Sequence, residues 1–278
     1  HMIKASGHID ALAEKTQNGT LLPGTSGIGH TRWATHGAPT DTNAHPHMSA
    51  DGKFAIVHNG IIENYAALRD ELKSKGFVFR SETDTEVIVH LLDMYYTGDL
   101  KAAVLHTAAR LEGSYALGVL CADQPGTICA VKMASPLILG VGVGENFFAS
   151  DVTALVSHTK NVIYLEDGEF AEITPDSISI YDSTGATVHR SISRIVWDIE
   201  AAEKGGYEHF MLKEIMEQPR ALKATIAPRI KNGKIVLPGF YGRVPTGKIK
   251  VMTRGGSDIT GALAAAAVNA DVYENWTD

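Results

Sequence analysis

The order of patterns along this sequence predicts an α+β fold, a layered sandwich in which helices and strands form separate blocks. Three observations carry the prediction. A short apolar run at 54–59 reads as a strand, and helical periodicities follow between residues 63 and 111. After these, seven strand-like segments succeed one another, divided only by Gly, Asp and Pro turns. Alternating βαβ units would interleave helices with those strands, and here they do not.

The elements follow in order. FAIVHN (54–59) is a buried strand ending at Asn59-Gly60. ENYAALRDELKSKG (63–76) has apolar residues three and four apart and reads as a helix stopped by Gly76. Ser81-Glu82-Thr83-Asp84 supplies capping side chains, so EVIVHLLDMYY after Thr85 is a second amphipathic helix. The Gly98-Asp99 break introduces a third, at about 100–111. The strands are then YALGVLCA, TICAVKMA, PLILGVGV, NFFASD, NVIYLED, EFAEITP and SISIYD. A last helix spans about 207–225, and Pro219 removes a backbone donor within it, so a kink is expected there.

Composition narrows the class. The 278 residues are 44% hydrophobic and 21% charged, which suits a globular chain with one large domain or two small ones. A net charge of −7 argues against nucleic acid or an anionic membrane as partner. No apolar run approaches the roughly 18 residues that span a bilayer, and HMIKASGHIDALAEK lacks the features of a secretion signal. Cys121 and Cys129 are too few for a disulfide framework and sit in adjacent strand patterns, so both are expected to be buried thiols in a reducing cytoplasm.

Taken singly, the polar residues of the first third have ordinary readings. Arg32 in a loop is a solvated charge, Asp84 a helix N-cap, and Asn59-Gly60 a tight turn. The spacing of His30, His36, His45 and His47 matches no standard ligand pattern, and no metal or other cofactor is expected.

Taken together, they resemble something specific. GHTRWATHGAPTDTNAHPH, FAIVHNGIIENYAALRDELKSKG and SETDTEVIVHLL stand in the order and at about the spacing found in the glutamine–fructose-6-phosphate aminotransferase family. EGSYALGV, SPLILGVGVGENFFASD, EDGEFAEIT and YEHFMLKEIMEQP extend the resemblance over residues 1–235. The Trp-Ala-Thr-His-Gly run favours this aminosugar branch over amidophosphoribosyltransferase and asparagine synthetase, which share the N-terminal nucleophile fold.

The resemblance implies a four-layer α/β/β/α sandwich of N-terminal nucleophile hydrolase type, incomplete at its N-terminus, with glutamine as substrate. It implies that Arg32, Trp33, Thr35, His36 and Asp84 bind glutamine and that Asn59 and Gly60 stabilise the oxyanion. The chemistry suits those residue types. A guanidinium grips a carboxylate through paired hydrogen bonds, an aspartate faces an ammonium, and an amide with a backbone N–H meets developing negative charge. Trp33 resembles a tryptophan that closes over the site and helps gate ammonia. The family's nucleophile is an N-terminal cysteine whose α-amino group serves as base; this sequence opens at His1, so no glutaminase turnover is expected of it alone. Fructose 6-phosphate would be reached only through a sugar isomerase domain beyond this sequence, and the full-length family implies a homodimer.

Residues 236–278 read differently. From about 239 they resemble a fragment of aspartate kinase, with Arg254-Gly255-Gly256-Ser257-Asp258 and Trp276-Thr277-Asp278, and are not expected to form an independent domain. Two other readings remain open at this point: a module that binds glutamine or glutamate without hydrolysis, and a non-functional chimeric reading frame.

Overall fold

The structure is a computed structural model, and it describes residues 1–32, 34, 36–196, 207–226, 241–243 and 249–251. The chain divides into two compact units, His1–Trp197 and Asp198–Asp278.

The first unit is the expected α+β sandwich. It opens with helix α1 (Ile9–Thr16), a short strand β1 (His47–Met48) and the long strand β2 (Phe54–Ile62). Helices α2 (Tyr65–Ser74), α3 (Glu86–Tyr95) and α4 (Leu100–Ala108) follow. Next come strands β3 (Gly113–Cys121), β4 (Ile128–Met133), β5 (Ile138–Val141) and β6 (Asn146–Ala149), then a 3₁₀ turn at Val152–Ala154. Strands β7 (Asn161–Tyr164), β8 (Phe170–Ile173), β9 (Ile178–Tyr181), β10 (Thr187–Val188) and β11 (Ser193–Arg194) complete it. One sheet runs β1-β2-β3-β4-β8-β9-β10 and the other β11-β7-β5-β6, and every named pairing in both is antiparallel.

Alternation along the strands sorts side chains to two faces. Phe54, Ile56, Ile62, Leu117, Val119, Cys121, Cys129, Val131 and Phe170 point toward the helices and pack with Leu72, Ile88, Leu91 and Leu100. Ala116, Ala130, Ala171, Ile173 and Ile180 point the other way and meet Leu139 and Ile163 of the second sheet and Leu137 and Leu165 at its strand ends. Beyond that sheet, Val152, Leu155 and Val156 form its outer cover, against Ile138 and Val162. A Cβ at Gly118 would lie 2.4 Å from the Phe148 ring, so glycine is what lets the sheets approach there.

Several local expectations are corrected. The strand from Phe54 does not stop at Asn59-Gly60; it pairs with β3 through Ile62↔Gly113. Ser81–Asp84 does not cap α3, whose N-cap Thr85 makes no side-chain capping bond. Instead the Glu86 carboxylate reaches back to the N–H groups of Arg80 (2.8 Å) and Ser81 (2.7 Å) and to the Ser81 hydroxyl (2.6 Å). Burial by itself would raise this carboxyl; the contacts with His90, Ser81 and the two amides outweigh it and hold it at about 2. Helix α1 and strand β1 had no expectation. The two thiols are free and buried, as expected.

In the second unit, helix α5 (Phe210–Ile226) continues through Pro219, and β12 (Tyr241–Arg243) pairs antiparallel with β13 (Ile249–Val251). Arg254–Asp258 and Trp276–Asp278 lie outside the described residues. Among the described residues no helix is long and apolar enough to cross a membrane.

Candidate functional site

Strand β2 is the floor of the site. Its central position in the ladder, Asn59↔Ala116 and Gly60↔Tyr115, sets where the Asn59 amide stands. Gly60 has φ 119°, and a Cβ there would lie 1.9 Å from the Ser114 carbonyl oxygen. Only glycine permits β2 to continue past Asn59 in this conformation.

The wall is the start of α3. The Asp84 carboxylate is 3% exposed, and its Oδ2 accepts the Ile62 N–H at 2.8 Å. Asp84 is therefore tied to the strand beside Asn59 rather than to its own helix. Thr85 Oγ1 bonds the rings of His58 (Nδ1, 2.9 Å) and His45 (Nε2, 3.3 Å), and the Thr83 hydroxyl bonds His47 Nε2 at 3.2 Å.

The rim is the loop after His30. Arg32 turns its guanidinium onto the loop's own carbonyls: Ala38 at 3.0 Å, Gly37 at 3.2 Å, and His36. Asn43 fastens that loop to the α3 wall. Its Nδ2 donates to the Ala38 carbonyl (3.0 Å) and to Glu82 (3.1 Å), while its Oδ1 accepts the Glu82 N–H (3.0 Å). Lys4, donating to the Ala44 carbonyl at 2.7 Å, and Lys15, donating to Asp41 at 2.9 Å, brace the loop from the N-terminal segment. The His36 ring meets Tyr65 edge-on at 5.3 Å.

These parts enclose a cavity of about 320 Å³ lined by Arg32, His36, Asn59, Gly60 and Asp84, with His30, His58 and Thr85 among the other contributors. That volume is at the lower end of small-molecule sites. Of the residues singled out in sequence, five reach this cavity; Trp33 and Thr35 lie outside the described residues. A second cavity, of about 630 Å³, opens between the sheets against Ala116, Gly118, Phe147 and Phe148, and shares His30, His58 and Asn59 with the first.

Sequence reading missed the histidine stack under the site. His30 and His45 lie 4.2 Å apart, His45 and His47 5.1 Å, and His45 and His58 6.4 Å between ring centroids. Burial lowers all four from the ordinary imidazole value, His45 the most and His47 and His58 to about 4. They are neutral packing and hydrogen-bonding groups. The run Asn43-Ala44-His45-Pro46-His47 showed their presence, but nothing local indicated that Thr83 and Thr85 would be their partners.

A profile of the glutamine amidotransferase domain matches residues 12–214. The chain is 53% identical over 235 residues to the glutamine–fructose-6-phosphate aminotransferase [isomerizing] of Caldanaerobacter subterraneus subsp. tengcongensis, covering 84% of this chain and 38% of that protein. The protein of the same description from Pyrococcus horikoshii is 52% identical over 231 residues, with 82% and 38% covered. The chain thus spans 38% of the length of these curated relatives. Among solved structures, the glutamine phosphoribosylpyrophosphate amidotransferase of B. subtilis complexed with ADP and GMP has a TM-score of 0.46 at 26% identity, over 55% of this chain and 34% of that one.

Proposed function

The chain belongs to the glutamine amidotransferase domain family, and we propose that residues 1–235 supply the glutamine-binding and oxyanion-stabilising groups of a larger, cytoplasmic, homodimeric protein that hydrolyses the side-chain amide of glutamine, with a cysteine outside these residues as nucleophile and the ammonia passing to fructose 6-phosphate held by another part. Residues 236–278 are read as no independent domain. The observation that carries this reading is the meeting of Arg32, Asn59, Gly60 and Asp84 around one cavity of about 320 Å³.

Each group has a task set by its charge. Arg32 receives the glutamine α-carboxylate, exchanging bonds to loop carbonyls for stronger charge-assisted ones. Asp84, held by the Ile62 N–H, faces the α-ammonium. Trp33, Thr35 and His36 are proposed to bind glutamine, as the family resemblance implies. A cysteine thiol attacks the side-chain carbonyl carbon, and the Asn59 amide with the Gly60 N–H takes the charge that develops on its oxygen. Collapse of the tetrahedral adduct expels ammonia and leaves a thioester, which water cleaves to glutamate and free thiol. Cys121 and Cys129 do not suit the attack: both are buried toward the helices, and burial pushes the Cys129 thiol well above its ordinary range. The attacking cysteine is one other than these two.

The test is glutamate and ammonia release from glutamine by the intact protein. Asn59→Ala is expected to lower kcat by about 10²–10³. Arg32→Ala is expected to act chiefly on KM. Unchanged turnover in Asn59→Ala would sink the reading.

A further inference from the structure

Asn59 is useful to an oxyanion only if its NH₂ end faces the cavity, and its own backbone does not ensure that. The last torsion of asparagine is broad and roughly two-fold, so the carbonyl and amino ends exchange places at little intrinsic cost. With the ends reversed, the Asn59 oxygen would confront the developing negative charge. Something must choose the orientation.

Among the described residues, His30 meets that need. His30 Nε2 lies 2.7 Å from Asn59 Oδ1, and both residues line the shared part of the two cavities. The carbonyl oxygen can only accept, so the proton stands on Nε2. The ring is held in place by His45 at 4.2 Å, which is itself tied through Thr85 to the start of α3. Burial, the largest influence on His30, lowers its pKa and so favours the neutral imidazole, in which one nitrogen alone carries hydrogen. We infer that His30 is a positioning residue: its Nε2–H pins the carbonyl end of Asn59 and thereby aims the Asn59 NH₂ at the reacting amide. This rests on the glutamine-hydrolysis reading above and adds to it the residue that sets the donor's direction.

Two measurements test it. The first uses the unaltered protein: the imidazole ¹⁵N shifts of His30 are expected to show the Nε2–H tautomer, and a Nδ1–H tautomer overturns the inference. The second is steady-state glutamine hydrolysis by His30→Ala and His30→Gln. His30→Ala is expected to lower kcat about tenfold to a hundredfold with KM nearly unchanged, the effect of a misaligned donor. His30→Gln, whose amide N–H can reach the same oxygen, is expected to recover most of the loss. Equal loss of kcat in both variants, or a change confined to KM, overturns it. If Asn59→Ala leaves turnover intact, the parent reading fails instead. If Asn59→Ala is damaging and His30→Ala is silent, only the inference about His30 fails.

Discussion

The two faces of the seven-stranded sheet make a useful comparison. Toward the helices, large side chains close the space: Phe54, Phe170, Ile56, Ile62, Leu72, Ile88, Leu91 and Leu100 are all at 0% exposure. Toward the second sheet the same strands present Ala116, Gly118, Ala130 and Ala171, and a cavity of about 630 Å³ remains between the layers. Asn59 and His58 both border the cavities, but alternation turns the His58 ring to its partner Thr85 at the start of α3, whereas Asn59 shares the face of Val57 toward the open side. Period-two alternation thus separates the two jobs by one residue. One face holds the fold together; the other leaves room for a reacting group.

The largest expected effect lies where the faces meet. Gly60→Ala adds a methyl 1.9 Å from a backbone oxygen, at a φ that side chains disfavour. Strain and overpacking together should cost roughly 4–6 kcal/mol. A melting temperature within a few degrees of the parent would show that the β2–β3 seam yields more than its geometry implies.

Truncation on either face sharpens the contrast. Phe54→Ala on the closed side should cost about 3–5 kcal/mol in denaturant titration. Phe148→Ala on the open side, where the ring is half-buried and borders the cavity, should cost roughly 1–2 kcal/mol. Equal losses would erase the distinction between the faces.

Acid probes the buried polar seam beside the site. His47 and His58 are held at about 4, against about 6.5 in an unfolded chain. Between those values the unfolded state binds more protons, so their contribution is whole above about pH 6.5 and fades as pH falls toward 4. Glu86, at about 2, loses its contribution below about pH 4.5 as the acid range deepens. Unfolding free energy should therefore fall by roughly 3–4 kcal/mol between pH 7 and pH 5 from the two histidines. A flat profile across that interval would mean that the rings are charged in the folded protein.

The smallest effect expected is at the outer surface of the closed side. Asp99 Oδ1 accepts the Ala102 N–H at 3.0 Å and caps α4. Asp99→Ala should cost about 1 kcal/mol in thermal unfolding. A loss as large as that of Phe54→Ala would show that the helical layer depends on its caps more than on its core.

Much of this was legible in the residues. The strand block from Gly113 to Tyr181 was readable because alternation and turn residues are local signals. α2 and α3 emerged within a residue or two of their observed limits for the same reason. The sequence also displayed Arg32, Asn59, Gly60 and Asp84 as a set, through several runs in a familiar order.

What the sequence by itself determined was the kind of element at most positions and the family to which residues 12–214 belong. Tertiary structure alone decided that β2 continues through Gly60, because its ladder partner Tyr115 comes from a strand more than fifty residues later. It alone decided that Asp84 bonds Ile62 instead of capping a helix, and that His30 bonds Asn59. Such bonds form between segments far apart in sequence, and burial is what makes leaving them unmade costly, so no local pattern announces them.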